Sequence, residues 1–170
     1  WAELRRGRRD AGGEAWTRCG TSNRTEPRAR AALLLAADIA ERAGDLTSAQ
    51  AQYDGLISRY PQSEYADLAR LNRAILVIRA GRGASVLGEL SELIRSAPLS
   101  PYIGRMRLAR GVVLSSTGKA AEAERDFQAA QGQGEGAVAN LGLGRVAFER
   151  GQWVDAERGF VEGGANGAGG

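Results

Sequence analysis

The chain of 170 residues has no histidine, one cysteine, one methionine, four prolines and only 6% aromatic residues. Without histidine, the commonest general base and the commonest metal ligand are both missing. Cys19 alone can form neither an internal disulfide nor a thiolate cage, and a cysteine without histidine makes a poor nucleophile. No apolar run approaches the ~18–20 residues that cross a bilayer. The chain opens on Trp1 and a basic stretch, with no starting methionine and no signal-type segment. A targeting segment is therefore expected to have been trimmed away, if the protein has one. What is present is ordinary for a globular chain: 25% charged and 43% hydrophobic residues, a length that suits one domain or one short repeat array.

Charge is unevenly placed. Arg5, Arg6, Arg8, Arg9, Arg18, Arg24, Arg28 and Arg30 stand against Glu3, Asp10, Glu14 and Glu26, while the rest of the chain is close to neutral. The sequence pI of about 9.5 thus describes an arm rather than the body. Such an arm attracts phosphate backbones or anionic lipid; a solvated linker explains it more simply, and no RNA-type aromatic motif interleaves with it. Lys119 is the one lysine among 23 basic residues, a bias that fits GC-rich coding DNA and says little about function.

A repeat emerges from the glycines. Gly44, Gly81, Gly118 and Gly151 are spaced by 37, 37 and 33 residues. Five residues after each stands Ala49, Val86, Ala123 or Ala156, and nine after each stands Tyr53, Leu90, Phe127 or Phe160. The first two units continue with Leu56-Ile57 and Leu93-Ile94, then Pro61 and Pro98. These offsets put the apolar residues on one helical face. Each glycine lies between two helical patterns, where a positive φ ends a helix cheaply. Asp45 is placed to cap the following helix, and the prolines close their units. The leading helices are expected at residues 28–43, 63–80, 101–117 and 137–150. Each unit then reads as helix, tight turn, helix.

These residues resemble the tetratricopeptide repeat family, which favours a small residue seven before the glycine and an aromatic or leucine two after it. It favours alanine at five and twelve after, an aromatic at nine and proline at seventeen. The fourth unit fits with Gly144, Gly151, Trp153, Ala156 and Phe160; the third supplies Gly111, Gly118, Ala123, Phe127 and Ala130. Ala37, Gly44, Leu46, Ala49, Tyr53 and Pro61 form the first, and a degenerate second keeps Ala74, Gly81 and Pro98. The ending Tyr53-x-x-Leu56-Ile57-x-x-Tyr60-Pro61-x-Ser63 is similar to that of bacterial cell-envelope members, such as outer-membrane assembly lipoproteins and Tol–Pal coordinators.

The resemblance implies an all-α, right-handed α-solenoid of about four repeats over residues 28–162, behind a basic, mostly irregular arm (1–27) and ahead of a Gly-rich disordered tail (163–170). It implies a non-catalytic scaffold that binds a protein or peptide segment, of acidic character, with no cofactor, and a place in the bacterial envelope. By family analogy the leading helices line a groove through Leu34 and Asp38, then Leu71, Ile75 and Arg79, then Arg105 and Leu108, and finally Arg145. The chaperone-tail carboxylate clamp is disfavoured, because Leu34 and Asp38 stand where lysine and asparagine are required. Two other readings stay open: an accessory module of a larger enzyme, and a nucleic-acid-associated regulator that uses the arginine arm. The acids Glu122, Glu124, Asp126, Asp155 and Glu157 read as solvated, ion-paired helix faces beside Arg125 and Arg158. Gly132-x-Gly134-x-Gly136 follows no strand and reads as a flexible link.

Overall fold

The computed structural model describes residues 25–167. Residues 1–24 of the arm, with Cys19, lie outside the described residues. Among the described residues the secondary structure consists of eight α-helices and one short 3-10 segment, with no strand. They fall into two compact units, Trp1–Ala66 and Asp67–Gly170.

In the first unit α1 (Thr25–Arg42) and α2 (Leu46–Arg59) form a hairpin. Ala37 and Ala49, both at 0% exposure, remove side-chain bulk between the helices, and Tyr53 and Leu56 fill the remaining space. The Tyr53 hydroxyl donates to Glu41 Oε2 across the hairpin at 3.3 Å. Asp45 caps α2 by accepting the Ser48 backbone N–H at 3.0 Å. Those bonds, the Ser48 side-chain contact first, hold the Asp45 carboxyl below the usual carboxylate range. The helix stops at Tyr60, whose successor Pro61 disfavours helical geometry at the residue before it.

The second unit holds α3 (Ala66–Arg79, its first residue at the unit boundary), the 3-10 turn Gly83–Val86, α4 (Leu87–Ser96), α5 (Ile103–Ser116), α6 (Ala120–Gln131), α7 (Gly136–Glu149) and α8 (Trp153–Gly167). Two apolar clusters knit it together. One joins Leu71, Ala74 and Val77 of α3 to Val86, Leu90 and Leu93 and to Met106, Ala109 and Val113 of α5. The other joins Leu108 and Leu114 of α5 to Ala123, Phe127 and Ala130 of α6 and to Ala139 and Val146 of α7. In the second hairpin Val86 and Leu90 replace the alanine and aromatic pair, and the α3 and α4 backbones stand farther apart than those of the other hairpins.

The four repeat glycines end their helices as the spacing predicts. Gly44, Gly81, Gly118 and Gly151 have φ between +73° and +80°. In each case the glycine N–H bonds three residues back and the next N–H bonds five back, as in Gly118 to Ser115 and Lys119 to Leu114. This double closure satisfies carbonyls the helix end would otherwise leave open. The longer period is also explained. A 37-residue unit has 14 residues in α2 and a proline-bearing connection at 60–65; the 33-residue step has 12 in α6 and the shorter glycine link 132–135.

One boundary differs from expectation. The chain does not become irregular at Gly163 but continues as α8 to Gly167. Gly163 is buried against α7, where an added Cβ would come within 2.6 Å of Leu141 and 2.9 Å of the Ala137 carbonyl. Its missing side chain makes the helix packing feasible.

Candidate interaction surface

The leading helices place the expected groove residues in three different environments. Arg79, Arg105 and Arg145 are exposed on α3, α5 and α7, and Arg145 Nε reaches Glu149 Oε1 at 3.0 Å on its own helix. Leu71 and Leu108, at 0% and 8% exposure, belong to the two core clusters instead, so the surface forms without them. They point between neighbouring hairpins, a direction a one-residue error in register conceals. Ile75 is partly buried against the first cluster. In the first unit Leu34 and Asp38 are half-buried, and Asp38 pairs with Arg42 at 2.9 Å. Val112 at 41% and Val138 at 54% add apolar surface between the arginines of α5 and α7.

A recurrent ion pair ties the middle hairpins, and the sequence reading missed it. Arg110 Nε and Nη2 donate to the two carboxylate oxygens of Asp126, each at 2.7 Å, and Asp126 is only 5% exposed. Asp126 raises the Arg110 pKa above its ordinary value through this fork. Arg73 Nη2 also pairs with Glu89 Oε1, between α3 and α4. Both arginines stand eight residues before their hinge glycine and both acids eight after it, a signal visible in the spacing. The outer units break the pattern, with Ala36 and Gln52 in the first and Leu143 and Gly159 in the last. Asp126 is thus no solvated acid, and its partner is Arg110 rather than the adjacent Arg125.

Two clefts open beside the trailing helices of the second unit, one repeat apart. The first, about 270 Å³, is floored by Arg110, Asp126, Ser91 and Leu114. The second, about 330 Å³, has Leu143, Gly159, Gln128 and Ala147 in the corresponding places. Its charged rim is internally paired, Arg150 with Glu124 at 2.5 Å and Arg158 with Asp155 at 3.4 Å, while Gln131 bonds Asn140. Glu124 and Asp155 are therefore held in ion pairs. Among the described residues no helix is long and apolar enough to cross a membrane.

Helical hairpins hinged on left-handed glycines, those of the second unit packed in sequence, define an all-α repeat protein of the solenoid class. The chain belongs to the tetratricopeptide repeat-like domain family, whose model matches residues 3–143. Among solved structures it is similar to that titled "Crystal structure of PilW, widely conserved type IV pilus biogenesis factor", with a TM-score of 0.69 and 21% identity. That alignment covers 96% of this chain and 73% of PilW, and it supports the fold. A comparison with curated proteins finds no match.

Proposed function

We propose that this protein is a non-catalytic adaptor that binds an acidic peptide or protein segment along its leading helices, within an assembly of the bacterial envelope. The observation that carries this reading is the exposed surface of α5 and α7, where Arg105 and Arg145 alternate with Val112 and Val138. An apolar strip with flanking cations fits a segment that carries acids beside apolar anchors. Membership of the repeat family supports a protein partner. The envelope assignment draws on the closing motif of the first unit and on the likeness to a pilus biogenesis factor. Arg105→Glu combined with Arg145→Glu should abolish binding of an acidic amphipathic peptide while leaving the helical circular dichroism unchanged. Binding that survives both reversals sinks the proposal. Binding that requires the arginine arm and falls steeply with salt on nucleic acid favours the regulator reading instead.

A further inference from the structure

The leading helices α5 and α7 carry different charges at matching turns. Counted back from the hinge glycines, Arg105 and Val138 share one level, Val112 and Arg145 the next, and Ser116 and Glu149 the last. All six residues are exposed, and the two helices lie side by side. They therefore present one face on which bases, apolar residues and an acid alternate.

The two arginines on this face are not equivalent. Arg145 Nε holds Glu149 Oε1 at 3.0 Å, one turn along its own helix. Arg105 has no hydrogen-bond or ion-pair partner among the described residues, and no acid stands in the first turn of α5. A carboxylate brought to Arg105 thus displaces nothing, whereas one brought to Arg145 competes with Glu149 and meets its repulsion. The level of Glu149 also changes sign across the unit, from Arg79 on α3 through Ser116 on α5 to the acid on α7. A segment acidic along its whole length would fit the α5 side and be repelled at the end of α7.

We infer that the segment bound on this face is dipolar, with an acid over Arg105, an apolar side chain against Val112 and a base over Glu149. Glu149 is then the residue that selects against partners acidic throughout. This rests on the groove reading proposed above and narrows it. The levels of Arg105 and Glu149 are separated by about 16 Å of helical rise, and neighbouring helices stand roughly 10 Å apart. The path between the two side chains is then about 19 Å, which about six residues of extended chain span. The acid and the base of the partner accordingly stand about that many residues apart, with the apolar residue midway.

Three labelled seven-residue peptides, each with leucine at its centre, test this against the full chain by fluorescence anisotropy at low salt. One has glutamate first and lysine last, the second has glutamate at both ends, and the third has lysine at both ends. The unaltered chain should bind the dipolar peptide about fivefold or more tighter than either of the others. Glu149→Lys should make the doubly acidic peptide the better ligand, and Arg105→Glu should favour the doubly basic one. Neither comparison depends on which way the peptide runs. Both side chains are exposed, so helical circular dichroism should not change. Equal or tighter binding of the doubly acidic peptide by the unaltered chain overturns the inference, and so does a preference that Glu149→Lys leaves in place. The groove itself survives those results if Arg105→Glu still weakens the dipolar peptide. Binding that ignores Arg105→Glu, or no saturable binding of any peptide, removes the groove reading and the inference with it.

Discussion

Phe127 and Phe160 stand at the same offset from their hinge glycines, and the sequence treats them alike. The structure separates them. Phe127 lies between Gly111 and Gly142, each of which would place a Cβ 2.7 Å from the ring, whereas Phe160 packs on Gly144 and remains open on its other side. Phe127→Ala should therefore cost about 3–5 kcal/mol in urea unfolding, and Phe160→Ala only about 1 kcal/mol. Equal losses would show that this open side is closed in solution. Asp45 was legible as a cap because the hinge glycine fixes where α2 begins. Its carboxyl titrates lower in the folded state than in the unfolded chain, so in that interval the unfolded chain binds more protons and stability rises with pH. The contribution is present above about pH 4 and disappears as pH falls through the folded value. Asparagine caps without titrating, so the melting temperature of Asp45→Asn should change less than that of the unaltered chain between neutral and acid pH. What the sequence hid at this scale is direction. Leu71 and Leu108 look suited to a groove, but their position faces the next hairpin, because the outward and interhelical faces differ by a single residue's rotation.

Helix, turn and order of elements were readable because the glycine punctuates each unit and the apolar offsets follow one face. Boundaries were less so. The leading helix expected from residue 63 begins at Ala66, since Tyr60, Pro61 and Ser63 build turns through Ser63 N–H to Tyr60 O and Ala66 N–H to Ser63 O. A glycine-rich stretch predicts disorder from composition, and Gly163 becomes helical because its neighbour is Leu141. The hinge itself offers a clean test: at Gly118, with φ +79°, an added Cβ meets nothing within 4 Å. Any loss in Gly118→Ala then comes from backbone strain alone, about 1–2 kcal/mol by thermal or urea unfolding. The Arg110–Asp126 pair requires two variants. Asp126→Ala strands the guanidinium and should cost about 3 kcal/mol, whereas Arg110→Leu with Asp126→Ala removes both charges and should cost less than the single change. The last unit makes the same exchange naturally with Leu143 and Gly159. A double variant no more stable than Asp126→Ala would show that the unpaired Arg110 guanidinium carries no penalty of its own.

Repeat architecture makes stability a sum of local and neighbouring terms, so protection should vary along the chain even where every segment is helical. The helix α5 supplies Met106, Ala109 and Val113 to one apolar cluster and Leu108 and Leu114 to the other. Opening it breaks both clusters and the Arg110–Asp126 fork together. By contrast, α8 buries Ala156, Gly159 and Gly163 on one side and leaves Trp153, Val154, Phe160 and Val161 exposed. Opening α8 exposes little new apolar surface and leaves both clusters standing. In native-state hydrogen exchange, backbone amides of Ile103–Ser116 should therefore exchange slowest within the second unit and those of Trp153–Gly167 fastest. Uniform protection from α3 to α8 would mean that the unit opens as a single cooperative block, and the distinction between its doubly clustered middle and its open end would fall.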